Sequence, residues 1–129
     1  MPKPISSAKA PKAIGPYSPA VQYENLIFTA GQIGLDPQRG ELVAGGIGPE
    51  TRQALRNIAA LLEAADSSLP WVLKTTVFLR DMDEFGMMNK AYAEFFGDSP
   101  PARSTVQVGA LPRGAAVQIE CIAAAEGSH

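Results

Sequence analysis

The chain reads as an α+β fold with the element order ββαβαββ, one mixed sheet carrying two helices on one of its faces. Three observations carry this. Two segments space their apolar residues as helices do. Five short segments are rich in β-branched, aromatic and alternating residues. Gly- and Pro-rich connections separate them. The length of 129 residues fits one domain spanning 1–129. Hydrophobic residues at 46% and charged residues at 19% are enough to build and solvate a core.

Residues 20–23 and 26–33 are expected as strands around a tight Glu24-Asn25 turn, and Asp36-Pro-Gln-Arg-Gly40 as a further turn. Gly45-Gly-Ile-Gly48 leads into Pro49, which suits a helical first turn. Leu55, Ile58, Leu62 and Ala65 then form one apolar stripe. Residues 71–80, rich in Val, Thr and Phe, predict a strand. Asp83 is placed to cap a second helix whose stripe is Phe85, Met88, Tyr92 and Phe95, ended by Gly97 and Pro100; the Met87-Met88 pair is expected in its core. Residues 104–108 and 116–123 predict the last two strands. Two helices cover one sheet face only. The other face is left bare yet partly apolar, which points to oligomerisation.

Several function classes are excluded by what is scarce. The net charge of −2 argues against a nucleic-acid partner, which calls for a basic surface. One cysteine forms no intrachain disulfide, and Cys121 reads as a small buried hydrophobe. No apolar run approaches membrane-spanning length, and the start of the chain lacks the apolar core of a secretory signal, so a cytoplasmic location is expected. The one histidine is His129, in what is expected to be a frayed Gly-Ser-His tail; a Ser-His-Asp triad or a His-rich zinc site needs one inside the fold. Neither a phosphate loop nor GxGxxG is present, and no metal or cofactor is implied.

The candidate chemistry lies near the end. Alternation puts Arg103, Thr105 and Gln107 on one face of their strand, and Ala116, Gln118 and Glu120 on one face of the last strand. The two polar stripes are expected to face the same cleft. Arg103 is either half of a surface ion pair or a bidentate grip on a carboxylate. Glu120 is either an Arg-paired structural carboxylate or a group that orients and deprotonates water. Tyr17 caps an apolar patch or offers its hydroxyl to a ligand. Gly31, inside a strand pattern, permits close approach of backbone or ligand. Asn89, in the middle of the second helix, reads as a solvated or backbone-bonded side chain.

The chain also resembles the Rid (YjgF-type) family of enamine/imine deaminases over nearly its whole length. The resemblance rests on Ala13-Ile-Gly-Pro-Tyr-Ser18, Thr29-Ala-Gly-Gln-Ile33, Asn57, Val72-Leu-Lys-Thr-Thr-Val-Phe-Leu79, Asn89 with Tyr92, Pro101-Ala-Arg-Ser104 and Ile119-Glu120, in that order. It implies a chorismate-mutase-like fold closing into a homotrimer with clefts between subunits. The implied activity is hydrolysis of 2-enamino and 2-imino acids, such as 2-aminoacrylate and 2-aminocrotonate, to 2-keto acids and ammonia without a cofactor. Such species escape from pyridoxal-phosphate dehydratases. Arg103 would hold the substrate carboxylate. Glu120 with Tyr17 would activate water. Thr105, Gly31 and Asn89 would line the pocket. Ala30 and Thr105 stand where many deaminating relatives carry Ser and Cys, which bears on substrate preference and turnover. Two other readings use the same residues: a trimeric keto-acid-binding protein without turnover, and an RNA-directed endoribonuclease or translation inhibitor.

Overall fold

The computed structural model describes residues 1–127; the last two residues of the expected tail, Ser128 and His129, lie outside the described residues. The strands are β1 (Lys3–Ile5), β2 (Ala20–Tyr23), β3 (Leu26–Thr29), β4 (Val72–Leu79), β5 (Ala102–Gln107) and β6 (Val117–Ala124). The helices are α1 (Ile47–Ala64) and α2 (Phe85–Ala93). One sheet runs β1-β2-β3-β6-β4-β5. β4 and β5 are parallel, joined through α2, and every other neighbouring pair is antiparallel. This is the expected α+β architecture with one more strand. β1 escaped the sequence reading because a three-residue segment containing Pro4 carries no strand signature. Proline is tolerated there because β1 is an edge.

Both helices lie on one face. The α1 stripe Leu55, Ile58, Leu62 and Ala65 is buried as its spacing requires, together with Ala54 and Leu61. It packs with Val77 and Leu79 of β4, with Val117, Ile119, Cys121 and Ala123 of β6, and with Met88 and Tyr92 of α2. Each buried Leu or Ile contributes roughly 1.5–3 kcal/mol relative to exposure. At its start, α1 follows Gly45 and Gly46 at φ 111° and 87°, backbone that a β-carbon disfavours. At its end the Ser67 N–H reaches back to Leu62 O at 2.8 Å, with Asp66 at φ 58°.

Two buried polar groups of α1 fasten the loop after β3 and the start of β6. Asn57, fully buried, donates from Nδ2 to Leu35 O at 2.9 Å and Ile33 O at 3.3 Å, while its Oδ1 accepts from Gln53 at 2.9 Å. Glu50 accepts the Ala116 N–H at 2.8 Å. Helix and loop approach so closely that a β-carbon on Gly34 would stand 2.7 Å from Glu50 Cα and 2.8 Å from its carbonyl oxygen.

Three local expectations are corrected. The strand expected over 26–33 stops at Thr29. The Ala30 N–H still bonds Pro19 O in the β2–β3 register, but Pro19 has no N–H to return, and the chain rejoins β6 only through a single bridge from Gln32 to Ile119. The capping residue before α2 is Asp81, not Asp83. Asp81 accepts the Asp83 N–H at 2.9 Å and opens a short 3₁₀ turn (Met82–Glu84) ahead of the helix. Of the methionine pair only Met88 is core; Met87 is 61% exposed, because neighbouring helical positions cannot share a face.

No helix covers the opposite sheet face. It presents Phe28, Phe78, Val106 and Ile122 among Lys74, Thr76, Ser104, Gln118 and Glu120, with Phe28 and Val106 exposed. Among the described residues no helix is long and apolar enough to cross a membrane.

The Gly34 contact is with backbone, which cannot swing aside. Gly34→Ala is therefore expected to destabilise the fold by about 1–3 kcal/mol, as overpacked sites do. Gly86→Ala, at an exposed α2 position with no atom near the added carbon, is expected to stabilise by roughly 0.5–1 kcal/mol. Urea titrations of both variants check the pair; equal midpoints would refute the steric account.

Candidate active site

Register decides where each candidate side chain points. Thr75 of β4 pairs with Arg103 of β5 and with Cys121 of β6, so these three share a face. It is the helix face, because the Thr75 hydroxyl bonds the Tyr92 hydroxyl of α2 at 2.8 Å. Thr76 pairs with Glu120 and with Ser104, which therefore leave the sheet on its bare face. The expectation that the Arg103 and Glu120 stripes face one cleft thus fails within a single chain: the sheet lies between them. Alternation gives the faces within a strand, but the relative phase of two strands depends on pairing that the sequence does not state.

Two clefts flank the sheet. The first, of about 450 Å³, holds Tyr17 and Gly31 together with Ala30, Gln118 and Arg113. Tyr17 is half-exposed, and its hydroxyl accepts the Ile14 N–H at 3.2 Å across a bend opened by Gly15 at φ 120°. Gly31 has a steric reason to be glycine. The Gln118 side chain occupies the position its β-carbon would need, so any larger residue would displace that amide. Gln118 is two residues from Glu120 on the same face, so it is the link between this cleft and the bare face.

The second cleft is lined by Asn89, Tyr92, Phe96, Pro100, Pro101 and Arg103. Arg103 stands on β5, the last strand of the sheet, and is therefore at the edge of the molecule. Its guanidinium carbon lies 4.8 Å from the Tyr92 ring centroid and 5.5 Å from that of Phe85. Three ion pairs occur among the described residues, Arg39–Glu41, Arg52–Glu94 and Arg80–Glu84, and Arg103 belongs to none of them. Among the described residues, the surface ion-pair reading of Arg103 finds no partner. Nearby, Asn89 Oδ1 and Thr105 Oγ1 are buried without a hydrogen-bond partner. Buried polar atoms left in this way cost about 1–3 kcal/mol each, which a ligand or neighbouring chain would recover.

The structure therefore brings Tyr17 to Gly31, and Asn89 to Arg103 with Thr105 beside them on the same strand face. It does not bring the two groups together. Glu120 lines neither cleft. Arg113 and the aromatic bed under Arg103 were not singled out from sequence. Arg113 sits in the Gly/Pro connection at φ 59° and donates to Gly40 O at 2.8 Å, a placement with no periodic signature. The Phe85–Tyr92 spacing was visible as an apolar stripe, but nothing in it told of the arginine above. Among the described residues no three His, Cys, Asp or Glu side chains gather as a metal site.

Cys121 belongs to the core. Its N–H donates to Thr29 Oγ1 at 3.0 Å, and burial pushes its thiol up to about 11. Burial likewise raises the Tyr92 phenol, against the opposing effects of the Thr75 hydrogen bond and the Arg103 charge.

Sequence and fold comparisons assign this small α+β chain to one family. Residues 7–125 match the family described as Endoribonuclease L-PSP, and the chain belongs to that family, the Rid (YjgF-type) family of its sequence motifs. It is 53% identical over 121 residues to the 2-iminobutanoate/2-iminopropanoate deaminase of Mus musculus, covering 94% of this chain and 90% of that one. A crystal structure of a Thermotoga maritima protein superposes with a TM-score of 0.94 at 50% identity, covering 98% of this chain and 100% of the other. Escherichia coli TdcF, crystallised with bound serine, gives a TM-score of 0.91 at 39% identity, covering 95% and 98%.

Because the folded thiol titrates above the unfolded value of 9.0, the native state keeps its proton when the unfolded state loses it. The stabilisation is complete below pH 9 and is lost as pH rises through 11, in all roughly 2–3 kcal/mol. Cys121→Ala is expected to flatten that decline in urea titrations between pH 8.5 and 11. An unchanged slope would show that the thiol is not what is desolvated.

Proposed function

We propose that this chain hydrolyses reactive 2-enamino and 2-imino acids to 2-keto acids and ammonia, at sites built where copies of the chain meet. The observation that carries the reading is Arg103: a guanidinium without an ion-pair partner among the described residues, over two aromatic rings at the sheet edge beside unpartnered Asn89 and Thr105 oxygens. That is a receptor for a small planar carboxylate with a polar neighbour group. The names of the relatives agree, in that one is a 2-iminobutanoate/2-iminopropanoate deaminase and another was crystallised with serine, a small amino acid.

The reaction divides along the two half-sites. The enamine tautomerises to its imine, whose C2 is electrophilic. Arg103 binds the carboxylate and sets the plane of C2, and Asn89 and Thr105 orient the nitrogen. Glu120, reaching from the bare face of a second copy with that copy's Tyr17 and Gly31, accepts a proton from water as its oxygen adds to C2. Glu120 passes that proton to the nitrogen to give the carbinolamine, then relays the carbinol hydroxyl proton to the same nitrogen as the C–N bond breaks, so that the carbonyl forms and ammonia leaves the keto acid. Water supplies the oxygen and both hydrogens, so no redox partner enters. The bare, partly apolar sheet face supports a homotrimer as the assembly, and residues 1–129 act as one Rid-type domain in the cytoplasm. The keto-acid-binding reading without turnover uses the same arginine and is separated by assay. The net charge of −2 weighs against RNA as the substrate.

Light scattering after size exclusion at micromolar concentration is expected to give three times the 13.6 kDa chain mass; a monomer would remove the interface site altogether. Arg103→Ala is expected to lower kcat/KM for 2-aminoacrylate generated in situ by roughly 30- to 1000-fold and to weaken pyruvate binding. Glu120→Gln keeps shape but removes the base, so turnover is expected to fall about 10²- to 10⁴-fold with pyruvate affinity little changed. Near-normal turnover in a folded, trimeric Glu120→Gln protein would make Glu120 structural.

A further inference from the structure

We infer that Tyr92 is a positioning residue for substrate: with Phe85 it forms an aromatic bed that holds the Arg103 fork flat, and Thr75 locks that bed through its hydroxyl. The inference rests on Arg103 being the carboxylate anchor and adds what makes an arginine there effective. Phe85 and Tyr92 lie two helical turns apart on α2 and so share one side of the helix. The guanidinium spans both, at 5.5 Å and 4.8 Å from the ring centroids, within the range of cation–π attraction. An arginine on an edge strand without a carboxylate partner would otherwise sample many rotamers. Held within cation–π range of two rings, it is restricted to fewer of them.

The ring beneath is itself fixed. Tyr92 is 5% exposed, and its hydroxyl meets the hydroxyl of Thr75, which is 1% exposed, at 2.8 Å. Thr75 is also the β4 partner of Arg103 in the parallel ladder. Thr75 is therefore tied to Arg103 through the backbone and to Tyr92 through its side chain, which fixes the arginine's strand relative to the ring. Phe96 also packs on Tyr92, at 4.7 Å between centroids and tilted by 37°. A lysine at 103 would keep the charge but has no plane to lie on the rings.

The experiment is a double-mutant cycle read by pyruvate titration calorimetry, with steady-state hydrolysis of 2-aminoacrylate alongside. Tyr92→Leu is expected to weaken pyruvate binding roughly 5- to 20-fold and to raise KM while leaving kcat within about twofold, the signature of lost uniform binding. Tyr92→Phe keeps the ring and is expected to recover most of that loss. Arg103→Lys is expected to weaken binding roughly tenfold in the parent and less than about threefold in the Tyr92→Leu background, because the bed that distinguishes the two cations is gone. Equal factors in both backgrounds, or unchanged pyruvate affinity in folded Tyr92→Leu, would overturn the inference. If Tyr92→Leu does not fold, Phe85→Leu, which removes the half-buried ring, enters the same cycle with the same expected coupling and the same overturning result. Arg103→Ala in the parent reports separately: undiminished pyruvate binding there would sink the anchor assignment itself, whatever the cycle gives.

Discussion

Two short helices are enough to cover one face of a six-stranded sheet and no more. On the covered side the physics is complete: Ile27, Val77, Leu79, Val117, Ile119 and Ala123 meet α1 and α2 with almost no exposure. On the bare side, Phe28 and Val106 stay in water beside Thr76 and Glu120. A strand must send its next side chain to the opposite face. Every residue that serves the core therefore has neighbours on the bare face. Arg103 escapes burial only because β5 is the last strand, where the helical cover runs out and α2 supplies rings rather than aliphatic packing.

The polar groups buried under this cover are joints. Asn57 and Glu50 secure the loop after β3 and the start of β6 to α1, and so place Gly31 and Gln118 at the first cleft. Thr29 holds the Cys121 amide, and Thr75 holds Tyr92. Each joins two elements far apart in sequence. The precision of the clefts comes from the core rather than from the surface loops that line them.

Much of the fold was legible in the sequence because its signals are local. The α1 stripe, the β2 bounds and the long β4 run all express periodicity within one segment. The failures are those in which a distant partner decides. β1 exists because β2 offers it an edge. The break after Thr29 follows from the next position across the ladder being Pro19, which has no N–H to return to Ala30. The faces of Arg103 and Glu120 depend on the pairing of β4 with both β5 and β6. Of the candidate site, the residue types were readable from motif and alternation. Their separation, with Tyr17 and Gly31 in one cleft, Asn89 and Arg103 in another and Glu120 on the bare face, was not, because that is a property of registers. Gln118 shows the limit well: it sat in the predicted stripe, but only the folded backbone brings it onto Gly31.

The separation of Arg103 from Glu120 by the thickness of the sheet has a genetic consequence under the proposed assembly. In a closed ring each chain would contribute its arginine side to one junction and its glutamate side to the next. A chain damaged in only one half would leave its other junction intact, and two differently damaged chains could restore a working site between them. A chain damaged in both halves would instead disable two junctions in any ring it joined. Alleles of the first kind would complement one another, and those of the second would behave as dominant.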